Sequence, residues 1–306
     1  MIKNKAEKIT NIATKRGFFF PTAEIYGSKA GLWTYGHLGK LMKQKFENLW
    51  RSYFLGLNQN FYEIEGNSIL PKEVFKASGH LEKFNDPLTS CLKCKFRFRA
   101  DELIEDAGYN ANNLTSASMD KLIKEHELRC PKCGSELGKV AWFNMMFDVK
   151  LGVTGDDVAY LSPETAQNPY LSFKREFFSL RERLPLGLAM IGKAFRNEIS
   201  PRQGFFRLRE FTQAELQIFF NPDDIDKHTA WQDISRYKLN ILFSKDKKVS
   251  QLSCNDLNKK HKLPKFYLYY LAKIQEFYLE VLIIPNVKFM LRELSYSEKV
   301  FYNNLH

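Results

Sequence analysis

The segment FRNEISPRQGFFRLREFTQAE, positions 195 to 215, concentrates the side chains best suited to chemistry on an anion. Arg196, Arg207 and Arg209 carry guanidinium forks that stay charged at any working pH and grip phosphate or carboxylate oxygens two at a time. Both arms of the segment read as strands joined by a short polar turn around Pro201 and Gly204, which places the arginines on a β-hairpin. On charge pattern alone, a surface hairpin with solvated ion pairs accounts for them equally well. Sulfur is the second chemical signal. Cys91 and Cys94, then Cys130 and Cys133, form two CxxC pairs with residues 95–129 between them. Such pairs can set four thiolates at the corners of a tetrahedron around Zn²⁺, leaving no position for water, so the ion would be structural. A redox pair is the alternative, but a redox CxxC normally comes singly, ahead of a helix. Cys254, in a polar stretch, reads as a lone free thiol.

Elements to position these groups can be read from hydrophobic periodicity. Residues 39–54 place Leu41, Met42, Phe46, Leu49, Trp50 and Tyr53 at helical spacing, with Lys40, Lys43, Lys45 and Arg51 mostly opposite. A strand is expected near 61–64, and Pro71 closes the next short segment. Residues 103–106 and 119–128 read as polar helices, 158–161 as a strand, and 163–178 as a helix with Thr165 and Gln167 near its start. Leu186–Phe195 leads into the hairpin, 266–282 reads as a helix, and 287–292 as a final strand.

With 306 residues, 44% of them hydrophobic and 14% aromatic, the chain can bury a core for one large or two modest domains, a composition that favours an ordered chain over a disordered one. No run approaches the roughly eighteen apolar residues of a membrane span. The N-terminal MIKNKAEKIT lacks the apolar stretch of a signal peptide, so the cytoplasm is the expected location. A formal charge of +11 favours a polyanionic partner, although abundant Lys, Asn, Ile and Phe also fit a base-composition bias in the coding sequence.

The 195–215 segment resembles motif 2 of the class II aminoacyl-tRNA synthetases, in the wording of the homodimeric glycyl-tRNA synthetase family. YGSKAGLWTYGHLG, FKASGH, RFRADELIED, YLSPETAQ and the closing RELSYSEKVFYNNLH are similar to that family in the same order, and only about 223–263 lacks a clear counterpart. The resemblance implies an α+β fold, the class II antiparallel sheet flanked by helices and incomplete at one edge, with a zinc-ribbon-like insertion. It implies ATP-dependent activation of glycine and transfer to tRNA(Gly), with Mg²⁺ accompanying ATP. Arg196 would hold the α-phosphate and the amino acid carboxylate, Glu198 would read adenine or brace Arg196, Arg207 would reach the γ-phosphate, and Phe211 would stack on adenine. Asn197, Phe206, Leu208, Arg209 and Glu210 complete the ATP-binding stretch, with Arg209 on the same strand as Arg207. Arg99, Glu164, Phe211 and Glu215 would contact glycine. The helix, strand and proline at 39–71 match motif 1, which in the family builds a dimer interface.

The expected organisation is 1–85 with motif 1, 86–142 as a zinc-binding insertion peripheral to the sheet, 143–222 with motif 2, 223–264 as a variable insertion, and 265–306 as a closing helix and strand. Two departures stand out: Ser162 replaces the family's arginine beside Pro163-Glu164, and His37 replaces a proline. Gly204 is the last glycine, so the glycine-rich motif 3 has no counterpart downstream. The anticodon-binding domain is missing too. These absences lead to the expectation of an N-terminal subunit completed by a C-terminal synthetase subunit. The alternative is a catalytically inactive, synthetase-like RNA-binding or accessory subunit.

Overall fold

The computed structural model describes residues 2–111, 113–201 and 204–294. The family-like closing stretch therefore lies outside the described residues from position 295 onward. The chain forms two compact units, one of Met1–Glu182 with Gly187–Gln217, the other of Arg183–Leu186 with Ile218–His306.

In the first unit, α1 (Ile2–Lys15) precedes an antiparallel pair, β1 (Phe19–Pro21) with β2 (Trp33–Tyr35). The predicted helix at 39–54 is α2 (His37–Leu55). Its apolar residues divide: Trp50 is buried, while Leu41, Met42, Phe46 and Leu49 stay exposed. Next come β3 (Phe61–Glu63), β4 (Ile69–Pro71), α3 (Lys72–Ala77) and α4 (His80–Lys83). β5 (Asn85–Ser90) is the centre of a three-stranded antiparallel sheet between β6 (Arg97–Arg99) and β7 (Ala141–Asn144). α5 (Ala100–Asp106) and α6 (Ser116–Glu125) pack with them around Ala100, Ile104, Met119, Ile123 and Val140, so the insertion carries its own small core. β8 (Phe147–Leu151) and β9 (Asp157–Leu161) pair antiparallel, with β4 on the other side of β9, and α7 (Gln167–Ser179) follows.

β10 (Leu186–Phe195) is the middle strand between β11 (Glu210–Phe219) and β3, to which it runs parallel. Its continuous apolar run, Leu186 to Met190, is buried throughout, as expected of a strand covered on both faces. A Cβ on Gly187 would sit 2.4 Å from the Phe61 ring, so only glycine permits this close pairing. β11, by contrast, has no fully buried residue and is an edge strand. The expected single antiparallel sheet is thus distributed over five small sheets among the described residues, two of them containing parallel pairs.

The second unit contains α8 (Trp231–Ile234), β12 (Lys238–Leu242), β13 (Ser250–Ser253), α9 (Cys254–His261), α10 (Lys265–Glu276) and β14 (Leu291–Arg292). Its core joins Leu239 and Ile241 to Leu257, Leu268 and Ala272. Cys254 belongs to this core, fully buried, with its thiol pushed up to about 12 by burial, and it is a packing residue with no reactive character. The helix expected at 266–282 ends as an α-helix at Glu276 and widens into a π turn over Phe277–Val281. The strand expected at 287–292 shrinks to β14, because Asn286–Lys288 closes into a 3₁₀ turn. No helix of the described residues is long and apolar enough to cross a membrane.

Phe75 has no exposed surface and packs with Leu70 and Met146, its ring edge-on to His80. Phe75→Ala should cost about 3–5 kcal/mol in urea unfolding, the range for emptying a buried aromatic site. A loss under about 1 kcal/mol would contradict this packing.

Candidate active site

The arginines do not sit on the strands. The Arg196 N–H donates to the Arg209 carbonyl at 2.9 Å, closing the base of a loop that runs from 196 to 209, and all three arginines belong to that loop. The short turn expected from Pro201 and Gly204 is this longer excursion, in which Gly204, at φ 58°, opens a 3₁₀ turn. Arg202 and Gln203 lie outside the described residues. Phe205 anchors the loop by stacking on Phe19 at 4.3 Å and meeting Trp33 and Tyr35 edge-on. Phe206 is left 80% exposed. The Asn197 N–H donates to the Met145 carbonyl, and the Arg209 N–H to that of Gly31, each at 2.8 Å.

The three guanidinium groups have different environments. Arg196 lies between two rings, its Cζ 5.4 Å from the centroid of Phe84 and 5.3 Å from that of Phe211, while its Nε donates to the Pro163 carbonyl at 3.1 Å. The rings and this one bond orient the fork, and no carboxylate among the described residues forms an ion pair with it. Arg207 is engaged by acids: its Nε donates to Glu198 at 2.7 Å and its Nη1 to Glu102 at 2.8 Å. Arg209 is spent on main-chain carbonyls, those of Ala30 and Glu198, and serves as a loop strut. Leu208 is half-buried beside it, and Glu210 is exposed and paired with Lys193.

Around Arg196 the structure gathers two of the sequence-predicted acids. Glu164 accepts from Gln167 at 2.8 Å and lies 3.3 Å from Nε2 of the buried His80, which holds its carboxyl below the usual range. Burial pushes Glu215 up, and the nearby charge of Glu164 adds to this; both acids also feel the positive charge of Arg196. Two carboxylates close enough to feel one guanidinium that has no ion pair among the described residues match a zwitterion, with ammonium on the acids and carboxylate on the arginine.

β11 presents Phe211, Gln213, Glu215 and Gln217 at alternate positions. Gln213 accepts from the Thr165 N–H at 3.1 Å, and Gln217 donates to Glu215 while accepting from the Tyr170 hydroxyl. The sequence reading found Phe211 and Glu215 and missed the glutamines, although the period of two starting at Phe211 marks them. His80 closes the family-like FKASGH stretch but was assigned no role from sequence, and Phe84, just after α4, carried no signal of its own. Ser162 Oγ and Gln167 Oε1 are buried here without a hydrogen-bond partner among the described residues. Buried polar atoms of this kind normally have partners. His37, by contrast, is exposed.

Arg99 is placed differently from the expectation of a substrate contact. Its fork donates to Asp86 at 2.9 Å and to Asp101, with Glu102 at 3.5 Å, so each nitrogen already has an acid. The insertion is not peripheral either. It brings Asp86, Arg99 and Glu102 against Arg207, because α5 starts directly after β6 and points its first turn at the loop.

In the same insertion the four cysteine sulfurs lie within 4.8 Å of one another, with Cys91–Cys133 at 3.5 Å and Cys94–Cys130 at 3.7 Å. A tetrahedron of sulfurs about 2.3 Å from a central ion has edges of about 3.8 Å, so the donor set fits Zn²⁺. Lys95 and Gly134, each next after the second cysteine of its pair, take positive φ values of 56° and 69°. Both pairs therefore turn the same way, wrapping their sulfurs toward one point.

A family model described as "tRNA synthetase class II core domain (G, H, P, S and T)" matches residues 147–299, which include the loop and its flanking strands. The chain belongs to the class II tRNA synthetase core family. It is similar to the glycine–tRNA ligase of Pyrococcus abyssi, 42% identical over 98% of this chain and 53% of that relative. The glycine–tRNA ligase of Aeropyrum pernix is 46% identical over 73% of this chain and 39% of that relative. The chain spans about half the length of the curated relatives it matches most fully. A crystal structure titled as the RNA binding domain of threonyl-tRNA synthetase from Cryptosporidium parvum covers 87% of this chain and 50% of that one at a TM-score of 0.47 and 16% identity.

Next to the class II loop, Asp86 is pushed up to about 6, chiefly by burial, with Arg99 opposing the shift. A carboxyl whose affinity for protons rises on folding favours the fold at low pH and loses that contribution as pH climbs through about 6. Asp86→Asn should therefore flatten the pH dependence of the unfolding midpoint between pH 4 and 7. An unchanged profile would show that Asp86 titrates in the folded chain as it does when unfolded.

Proposed function

We propose that this chain is the part of a glycine–tRNA ligase that binds ATP and glycine and forms glycyl-adenylate, acting on tRNA(Gly) with a complementary synthetase subunit. The observation that carries the reading is Arg196, oriented by two rings and free of acids, facing Glu164 and Glu215. The glycine carboxylate is ionised near neutrality, so attack on the α-phosphorus needs no general base. Arg196 brings carboxylate and α-phosphate together and stabilises the negative charge that grows as pyrophosphate departs. Glu164, held by His80 and Gln167, takes the ammonium together with Glu215. Arg207 reaches the γ-phosphate once released from an acid, and Glu198 stays as its brace. Mg²⁺ supplies further charge neutralisation on the phosphates.

The orphan polar atoms of Ser162 and Gln167 fit a polar substrate rather than an apolar one. Glycine is selected by steric closure at its α-carbon, since it has no side chain to grip. Four thiolates hold a structural Zn²⁺, and the cytoplasm, where thiols stay reduced, is the working compartment. The exposed row Leu38, Leu41, Met42, Phe46 and Leu49 on α2 fits pairing of two copies through motif 1.

Mixing this chain with a polypeptide that carries a glycine-rich motif 3 should create glycine-dependent ATP–pyrophosphate exchange that neither has alone. Arg196→Ala should lower that exchange at least 100-fold with the fold intact, as for loss of a transition-state donor. Exchange within tenfold of the unsubstituted chain would defeat the assignment. Protein purified without chelator should carry about one Zn per chain, and Cys94→Ser should release it; well under one Zn per chain in the parent protein would contradict the metal site.

A further inference from the structure

We propose that Glu102 ties the cysteine-bearing insertion to the arginine loop, so that order at the sulfur cluster sets the position of Arg207. This rests in part on the Zn²⁺ reading above. The path is short and made of regular structure. Cys91 directly follows β5, and β6 returns antiparallel along it, pairing Ser90 with Arg97, Thr89 with Phe98 and Leu88 with Arg99. Phe98 packs among Cys91, Cys94 and Cys130. α5 begins at the next residue after Arg99, and its first turn carries Asp101 and Glu102.

Asp86 and Asp101 grip Arg99 and fix that turn against β5. Glu102 lies 3.5 Å from Nε of Arg99 and, through the same oxygen, meets Nη1 of Arg207 at the shorter distance of 2.8 Å. The remaining acid on Arg207, Glu198, belongs to the loop itself and moves with it. Glu102 is thus the external carboxylate on this guanidinium among the described residues, and it makes a positioning contact, not a catalytic one.

The four thiolates decide whether the lever is stiff. Without an ion, they repel or protonate, the two CxxC turns separate, and Phe98 loses the surface that seats β6. The first turn of α5 then samples other positions, and Arg207 keeps only its local partner.

Hydrogen exchange on the whole chain tests this in the peptide spanning 204–210, with zinc measured in each sample. Glu102→Gln should retain zinc and exchange about two- to fivefold faster there, the scale set by a half-exposed ion pair. Removing zinc from the unsubstituted chain should give the same acceleration, and removing it from Glu102→Gln should add nothing further. Glu102→Asp, if it regains the contact, should return part of the protection with zinc bound. Unchanged exchange at 204–210 in Glu102→Gln overturns the tie. Acceleration confined to residues 91–142 on zinc removal overturns the coupling to the cluster. If the parent protein holds no zinc, the metal reading fails, and the Glu102→Gln arm still decides whether the carboxylate holds the loop.

Discussion

The site depends on one guanidinium being oriented without being neutralised. A buried or half-buried arginine normally acquires a carboxylate, because an unpaired charge in a region of low dielectric is costly. Arg196 avoids that outcome through the faces of Phe84 and Phe211 and the Pro163 carbonyl, which together hold the ion while leaving its outer N–H groups available. Contacts with ring faces are worth about 0.5–2 kcal/mol each, enough to fix orientation but too weak to compete with an anionic substrate. Glu164 and Glu215 stay near enough to be felt electrostatically, yet His80, Gln167 and Gln217 hold them in other bonds.

Much of the first unit follows from this requirement. Phe84 comes from the end of α4, Phe211 from the edge strand β11, and Pro163 from the turn between β9 and α7. Three segments far apart in sequence must converge within a few ångströms of one guanidinium. The neighbouring Arg207 follows the opposite rule, with two acids on its fork. One arginine is ready and one is restrained, in a single loop.

Local signals in the chain were legible where a single element carried them. The helix at 39–54, the strands at 61–64 and 158–161, and the two CxxC turns depend on short-range periodicity or on spacing, and they are where the residues indicated. The convergence of Cys91, Cys94, Cys130 and Cys133 followed from donor chemistry alone. What failed to be legible is tertiary. The loop from 196 to 209 looked like a tight turn because Phe205 and Phe206 read as strand residues, while the docking of Phe205 onto Phe19, Trp33 and Tyr35 is invisible in sequence. Arg99 matched a substrate contact by motif; in the structure each of its three nitrogens donates to Asp86 or Asp101, and only β5–β6 pairing brings Asp86 there. Cys254 is the lone free thiol that the sequence indicated, but its burial had no local signal, because α9 turns it, with Leu257, into a core. The sheet order, with β3 parallel to β10, has no local signature at all.

The most direct test is a crystal structure of the chain with a non-hydrolysable glycyl-adenylate analogue, with the complementary subunit added where binding requires it. The account predicts the phosphate and the acyl oxygen within hydrogen-bond reach of Arg196 Nη1 and Nη2, with its guanidinium still between Phe84 and Phe211 and the analogue's ammonium at Glu164 and Glu215. An analogue bound elsewhere, or Arg196 paired with either acid while the ligand is present, would contradict it.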